Sequence, residues 1–177
     1  MKKALFLDRD GTLIKDTHYL HKPEEVELIA GTRQALEIAL NKDYQLFLFT
    51  NQSGIGRGYY SMAEAEACNT EMIRQINLQS DLFTGVCIAP ETPDQMQNYR
   101  KPSPKFIFEM IKQHSLDEEN CWMIGDRLSD LQAGINAKIL TAFLHSGKPL
   151  NQETKQFLLH HSIPEFPSLL QFTKTLS

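Results

Sequence analysis

Residues 3–12 read KALFLDRDGT, a short apolar run that turns abruptly into charge and glycine. Four consecutive apolar residues, Ala4 to Leu7, show none of the alternation expected when one face of a strand meets solvent. Such a run is typical of a strand buried on both faces of a parallel sheet. Similar runs predict four more strands, at residues 44–50, 82–89, 121–125 and 138–144.

Helical patterns lie between the predicted strands. The stretch Ser61-Met62-Ala63-Glu64 has the form of a capping box and predicts a helix to about Asn77. Ser103-Pro104 predicts another helix start, with Ser103 as the cap. Further helices are predicted at residues 32–42, 128–137 and 151–161. Because strand and helix alternate, we expect a doubly wound, Rossmann-like α/β fold, a parallel sheet flanked by helices, in a single domain over residues 1–177. The last residues are expected to add a helix at the sheet edge.

The composition bounds the class of protein. The 177 residues include 18 Lys and Arg against 22 Asp and Glu, with 41% apolar residues, as in an ordinary globular domain. The apolar runs are far shorter than the ~20 residues of a membrane-spanning helix, and the run after Lys3 stops at Asp8, too soon for a secretory signal. We therefore expect a cytoplasmic monomer with no membrane partner. The chain has no basic run, so no nucleic-acid partner is predicted.

Polar side chains follow the predicted strands at their carboxyl ends, where ligands bind in sheets of this type. Asp8 and Asp10 follow the first strand, Thr50 ends the second, and Asp126 and Asp130 follow the fourth. Clustered carboxylates repel one another unless a cation lies among them, and a set of oxygen ligands suits Mg²⁺. The sequence therefore predicts a magnesium site.

The same edge of the sheet suits a phosphoryl group. Lys101 precedes a predicted helix and supplies a positive charge for a phosphate oxygen, and the Thr50 hydroxyl supplies a hydrogen-bond donor. Asp8 and Asp10, two positions apart, can divide the chemistry, with Asp8 attacking phosphorus and Asp10 protonating the leaving oxygen. We therefore expect a phosphomonoesterase that acts on a small phosphorylated metabolite.

Four ordered motifs resemble those of the haloacid-dehalogenase-type (HAD) phosphatases. They are Asp8-Arg9-Asp10-Gly11-Thr12, Thr50, Lys101 and Gly125-Asp126 with Asp130, and the resemblance spans residues 3 to about 145. The resemblance implies an aspartyl-phosphate intermediate on Asp8. It also implies Mg²⁺ held by Asp8, Asp126 and the backbone carbonyl of Asp10, with Asp130 supporting the metal loop. Thr50 and Lys101 would stabilise the transferring group.

Longer stretches resemble a narrower group, the D-glycero-D-manno-heptose 1,7-bisphosphate phosphatases and the neighbouring histidinol-phosphate phosphatases. These stretches are Thr50 to Ile55, Arg100-Lys101-Pro102 and Gly125-Asp126-Arg127. The resemblance implies substrate contacts by a further set of residues: Asp16, Tyr19, Asn51, Gln52, Ser53, Arg100 and Arg127. Members of this group usually carry a zinc-binding loop of three Cys and one His before the Arg-Lys-Pro stretch. Residues 89–99 of this chain contain neither, so we expect no structural zinc.

Chain length bounds the access to the site. Only 41 residues separate Asp8 from Thr50, and 50 separate Thr50 from Lys101. The predicted core elements use most of these residues, so we expect no separate cap domain. The crevice should be open, shielded by residues 14–29 and 90–99.

Three alternatives to a heptose-bisphosphate phosphatase remain. A histidinol-phosphate phosphatase would perform the same chemistry on a different leaving group. The motifs are also similar to those of polynucleotide 3′-phosphatases, although the acidic charge balance disfavours a nucleic-acid substrate. A phosphate-binding protein that has kept the fold and lost turnover is the non-catalytic alternative, and the clustered acids argue against it.

Overall fold

The predicted strands form one parallel sheet in the computed structural model, which describes residues 2–145 and 148–177. The strand order is β3-β2-β1-β4-β5-β6, and every pairing is parallel. The strands are β1 (Lys2–Leu7), β2 (Tyr44–Asn51), β3 (Gly85–Ala89), β4 (Leu116–Gly125), β5 (Leu140–Leu144) and β6 (Glu165–Phe166). The predicted doubly wound α/β class is therefore confirmed.

The helices flank this sheet. They are α1 (Thr32–Asn41), α2 (Ser53–Gly56), α3 (Met62–Ile76), α4 (Lys105–His114), α5 (Leu128–Asn136), α6 (Gln152–His161) and α7 (Leu169–Thr175), with a 3-10 turn at Pro23–Glu25. The Ser61 capping box is confirmed: the Ser61 hydroxyl accepts from the Glu64 amide, and the Glu64 carboxylate accepts from the Ser61 amide.

The prediction that Ser103 caps α4 was wrong. Pro104 occupies the N-cap position, and no side chain caps the helix start. The Ser103 hydroxyl donates to the carbonyl of Asn98 at 2.7 Å and also accepts a long hydrogen bond from the Lys105 amide at 3.4 Å, from one position before the N-cap. The serine therefore closes the loop that precedes α4.

Both faces of the sheet are covered, as the apolar run in β1 predicted. Leu5 and Leu7 pack on one face with residues of α1, α3 and α7. Ala4 and Phe6 pack on the other face with residues of α4 and α5. None of these four strand residues has any exposed surface. Because side chains alternate along a strand, burial on both faces requires the continuous apolar pattern.

The carboxyl-terminal segment contributes more than the single helix expected. It adds the two-residue edge strand β6 and the helix α7, whose Phe172 packs edge-on against Trp122 of β4 at 5.1 Å between ring centroids. A two-residue strand has no sequence period and is defined only by its pairing with β5. No helix within residues 2–145 and 148–177 is long and apolar enough to cross a membrane.

The site lies where the strand order changes direction. The chain runs from β1 outward to β2 and β3, then returns to the other side of β1 to form β4. The carboxyl ends of β1 and β4 are therefore neighbours, and this position is where ligands bind in such sheets. The connections at residues 8–31 and 90–104 hold no helix or strand beyond the 3-10 turn and isolated bridges, so no separate cap domain covers the described site.

Candidate active site

Lys101 lies at the centre of the site as a buried cation between two carboxylates. Its ammonium nitrogen Nζ lies 2.6 Å from Oδ1 of Asp8 and 2.6 Å from Oδ1 of Asp130. It also donates to the carbonyl of Phe49 at 2.8 Å. Burial disfavours the charged ammonium, but Asp130 and Asp8 outweigh that effect and raise the pKa of Lys101. The lysine is thus held charged between Asp8, which follows β1, and Asp130 on α5.

Three carboxylates surround the position where a metal ion would bind. Asp8, Asp126 and Asp130 each offer an oxygen within 4.8 Å of the others. Burial raises the pKa of the Asp8 carboxyl, while the Lys101 charge acts in the opposite direction. A set made of carboxylate oxygens suits Mg²⁺. The residues present therefore fit the magnesium ion that the sequence predicts.

Two glycines let the backbone approach these carboxylates closely. Gly11 has φ of +90°, and a Cβ there would lie 2.2 Å from Oδ2 of Asp126. A Cβ on Gly125 would lie 2.2 Å from Oδ2 of Asp130. A side chain at either position would displace the nearby carboxylate, so the site requires glycine at both positions.

Asp130 also caps helix α5. Its Oδ2 accepts a hydrogen bond from the backbone amide of Arg127 at 3.0 Å, while Oδ1 faces Lys101. A carboxylate at a helix start is stabilised by the partial positive charge of the helix. Asp130 therefore ties the start of α5 to the buried lysine.

Asn51, predicted to contact substrate, also holds Lys101 in place. Its Nδ2 donates to the Lys101 carbonyl at 3.1 Å, and its Oδ1 accepts from the Lys101 amide at 2.9 Å. The two bonds join the end of β2 to the loop before α4, across 50 residues of sequence. Asn51 therefore orients the backbone of Lys101.

The predicted residues surround one cavity of about 250 Å³. All of the predicted site residues line it except Thr50 and Asp126. Thr50 has no exposed surface and lies behind the Gln52 side chain, which donates to its hydroxyl at 2.8 Å. The predicted residues that line the cavity are Asp8, Asp10, Asp16, Tyr19, Asn51, Gln52, Ser53, Arg100, Lys101, Arg127 and Asp130, joined by His18, Leu20, Tyr60 and Ser129.

Asp16 stands at the cavity mouth between two cations. It pairs with Arg127 at 2.6 Å and with Lys148, and its carboxylate accepts from the His18 amide at 3.1 Å. Burial acts to raise the pKa of Asp16, but these hydrogen bonds and charges hold it well below the usual value. Lys148 was missed at the sequence level, because nothing local links it to a carboxylate 132 residues away.

Comparisons with known proteins agree with this geometry. The family model described as HAD-hydrolase-like matches residues 98–166. A D-glycero-beta-D-manno-heptose-1,7-bisphosphate 7-phosphatase of Pasteurella multocida is 34% identical over 99% of this chain and 100% of that protein. A protein of the same name from Helicobacter pylori is 38% identical over 84% of this chain and 86% of its own length.

The chain belongs to this family of HAD-like phosphatases. A crystal structure of the D,D-heptose 1,7-bisphosphate phosphatase of B. bronchiseptica, complexed with magnesium and phosphate, shares the fold with a TM-score of 0.83 at 24% identity. The structural match covers 97% of this chain and 96% of the B. bronchiseptica chain. This chain is therefore an enzyme that hydrolyses phosphoric monoesters, and HAD phosphatases use Mg²⁺.

In this phosphatase the Asp10 carboxylate is held by the residue beside it. Arg9 donates from Nε to Oδ2 of Asp10 at 3.0 Å and from Nη2 to Oδ1 at 3.2 Å, and its Nη1 donates to Asn69 on α3. Arg9 has no exposed surface. Nothing in the local sequence assigns Arg9 a role, because an arginine in a charged turn is ordinarily solvent-exposed.

The loop before Arg100 is held by a carboxylate and its hydrogen bonds. Glu91 accepts from the amides of Asn98 at 3.1 Å and Tyr99 at 2.8 Å, and its carbonyl accepts from Nη1 of Arg100 at 3.1 Å. Burial of Glu91 acts to raise its pKa, but the bonds from these backbone amides lower it overall. The absence of a structural zinc stays a prediction.

Proposed function

We propose that this phosphatase removes one phosphate from a small sugar bisphosphate, with heptose 1,7-bisphosphate as the preferred substrate. The observation that carries the proposal is the pair of guanidinium groups, Arg100 and Arg127, on the cavity that also exposes Asp8 and Lys101. Lys101 serves the phosphate that reacts. The two arginines supply guanidinium groups for a second phosphate on the same molecule, and Arg127 is held there by its ion pair with Asp16.

The charge at the cavity mouth supports an anionic substrate. Burial lowers the pKa of Arg100, the nearby Glu91 carboxylate acts in the opposite direction, and the positive charge of Arg127 lowers it again, because like charges disfavour one another. An anion placed between them relieves that repulsion. A substrate with an ammonium group, such as histidinol phosphate, would add to it. This comparison favours a bisphosphate.

We assign the chemical steps to the two neighbouring aspartates. Asp8 attacks phosphorus, its oxygen forms a new bond to the phosphoryl group, and the bond to the leaving oxygen breaks. Asp10 donates a proton to that oxygen, and then removes a proton from the water that hydrolyses the aspartyl phosphate. Lys101 stabilises the transferring group, and we assign the same role to the Thr50 hydroxyl, which Gln52 covers in this structure.

Mg²⁺ fits beside these groups. Asp8, Asp126 and the backbone carbonyl of Asp10 would hold it, with Asp130 supporting their loop. When bound, the ion would reduce the repulsion between the Asp8 carboxylate and the negative phosphoryl group.

The test is phosphate release by the whole chain with Mg²⁺. Both anomers of heptose 1,7-bisphosphate, histidinol phosphate and a 3′-phosphorylated oligonucleotide would be compared by kcat/KM. We expect the highest kcat/KM on a heptose bisphosphate and a loss of about 10⁴-fold or more in Asp8→Asn. Turnover by Asp8→Asn at the wild-type rate would refute the mechanism. A preference for either of the other substrates would refute the substrate class.

A second experiment separates binding from chemistry. Arg127→Met removes one of the two guanidinium groups from the cavity mouth. We expect it to raise KM for the bisphosphate by about tenfold, the effect of losing one charge-assisted contact, and to change KM for a monophosphate much less. Equal changes on the two substrates would argue against recognition of a second phosphate by Arg127.

A further inference from the structure

The Gln52 side chain joins three groups in a buried part of the site. Its Nε2 donates to Oδ2 of Asp10 at 2.8 Å and to the Thr50 hydroxyl at 2.8 Å. Its Oε1 accepts from the hydroxyl of Tyr60 at 2.6 Å. Gln52 is only 3% exposed, so solvent has little access to either end of its amide.

The direction of these bonds matters because the two ends of an amide differ. The nitrogen end donates, and the oxygen end only accepts. If the amide rotated by half a turn, its oxygen would face the Asp10 carboxylate, and its nitrogen would face the Tyr60 hydroxyl. The Asp10 carboxylate, which can only accept, disfavours the rotated amide, and the bond from the Tyr60 hydroxyl to Oε1 adds support to the orientation in which Gln52 donates to Asp10.

We propose that Tyr60 is a positioning residue that acts through Gln52 to hold the Asp10 carboxyl in place for proton transfer. This inference rests on the proposed role of Asp10 in the reaction. Among the hydrogen bonds of residues 2–145 and 148–177, the Gln52 amide is what connects Tyr60 to Asp10, so the contribution of Tyr60 is one of orientation.

The surroundings of Tyr60 hold its ring for this purpose. A Cβ on Gly54 would lie 2.1 Å from Cε1 of Tyr60, so the glycine makes room for the ring. The His21 ring stacks on the Tyr60 ring, with centroids 5.5 Å apart and planes 6° from parallel. Tyr60 directly precedes Ser61, the N-cap of α3, which anchors its backbone.

The hydroxyl also keeps its proton. Burial raises the pKa of Tyr60 to about 12, although the nearby Arg9 acts in the opposite direction. At pH values well below 12 the hydroxyl therefore stays protonated and can donate to Gln52.

Tyr60→Phe tests the proposal, because it deletes the hydroxyl and keeps the ring. Tyr59→Phe is the matched control: Tyr59 is 58% exposed and does not line the cavity. The two probes are heptose 1,7-bisphosphate, or the best alkyl phosphate of the substrate screen, and p-nitrophenyl phosphate. An alkyl alkoxide needs a proton to leave, whereas p-nitrophenolate leaves without one.

We expect Tyr60→Phe to lower kcat/KM on the alkyl phosphate by about tenfold, the effect of one hydrogen bond of about 1.4 kcal/mol. On p-nitrophenyl phosphate we expect a loss of less than about threefold. Asp10→Asn, measured alongside, should show the same dependence on the leaving group with a larger loss. Tyr59→Phe should match the wild type on both substrates.

A double mutant tests the route through Gln52. Gln52→Met removes the amide and keeps the length of the side chain. Since Tyr60 acts through Gln52, adding Tyr60→Phe to Gln52→Met should cause no further loss of kcat/KM. The melting temperature of each variant reports folding separately from activity.

The outcomes separate this inference from the proposed function. Equal losses of Tyr60→Phe on the two substrates, wild-type kinetics, or additive losses in the double mutant would overturn the positioning role while leaving the phosphatase mechanism intact. A wild-type chain inactive on every phosphate ester, or an Asp10→Asn variant whose loss ignores the leaving group, would instead overturn the proposed role of Asp10 and this inference with it.

Discussion

Replacement of Lys101 by methionine tests how the buried charges of the site are balanced. The substitution keeps the length of the side chain and removes an ammonium group that lies 2.6 Å from Asp8 and 2.6 Å from Asp130. It also removes the hydrogen bond of 2.8 Å that the Lys101 ammonium donates to the Phe49 carbonyl. Lys101 and Asp130 are 2% and 1% exposed, so solvent compensates little for the lost cation.

The size of the effect follows from this burial. Removing one partner of a buried ion pair costs about 3–5 kcal/mol, because the remaining charge is left uncompensated. For a chain of this size each kcal/mol corresponds to about 2–4 °C of melting temperature, so we expect a fall of about 6–20 °C. Loss of a charge that stabilises the transition state should also lower kcat by about 10²–10³-fold.

Urea unfolding in a chelator provides the assay. Trp122, the single tryptophan of the chain, packs against Phe172 of α7 and reports the transition by fluorescence. Lys112→Met, on the exposed side of α4, is the matched control and should change the free energy of unfolding by less than about 0.5 kcal/mol. If Lys101→Met is destabilised no more than Lys112→Met, the lysine does not balance the buried carboxylates as the distances indicate.

Further predictions concern the residues and the ion around this lysine. Asn51→Ala removes both bonds to the Lys101 backbone and should lower kcat/KM about 100-fold through misplacement of the ammonium. Gly11→Ala places a methyl against Asp126 and should lower the activity by a similar factor, with weaker Mg²⁺ binding by calorimetry. Chelation should abolish phosphate release, and Mg²⁺ at 100 times its Kd should stabilise the chain by about 2.7 kcal/mol. Glu91→Gln should destabilise the chain by about 1 kcal/mol at pH 7 in urea unfolding, because the amide accepts more weakly than the carboxylate.

The Glu91 effect has a defined pH window. The pKa of Glu91 is lowered in the folded chain, below the usual value of about 4.3. The stability that its ionised form contributes is therefore present above that value and is lost as the pH falls through the folded-state pKa. The difference between wild type and Glu91→Gln should shrink below about pH 4. A stability difference between the two proteins that persists unchanged at pH 3 would contradict this explanation. A Glu91→Gln variant as stable as the wild type at pH 7 would contradict it as well.

The outcomes that would contradict the other predictions are equally direct. An Asn51→Ala variant with full kcat/KM would show that Lys101 needs no support from β2. Tight Mg²⁺ binding by Gly11→Ala would show that the close approach to Asp126 is dispensable. Full phosphate release in the presence of the chelator would show that the activity does not depend on a bound Mg²⁺.

Much of the fold could be predicted because its elements are local patterns. The runs of apolar residues in β1 and β2 and the capping box at Ser61 depend only on neighbouring residues. The exceptions had no such local signal. The strand β6 is defined by its pairing with β5, and Ser103 lies one position before the N-cap of α4, where its hydroxyl also donates to the Asn98 carbonyl.

In the candidate site, too, some features had a local sequence signal and others did not. The strand-end rule indicated that Asp8, Asp10, Thr50 and Asp126 would meet, because the carboxyl ends of parallel strands share one edge. It could not indicate that Arg9 would be fully buried against Asp10, since a local sequence motif does not show which side chain turns inward.

The amino-acid sequence by itself determined which reactive groups are present and where they lie along the chain. They are acidic groups, a hydroxyl and a lysine, and most of them follow strands that must be buried on both faces. Only the tertiary structure decided which of these groups touch. Lys101 meets Asp8 across 93 residues, and Tyr60 reaches Asp10 through Gln52. The physical reason is that hydrogen bonds and ion pairs act over about 3 Å, a distance that long-range packing sets and local sequence does not.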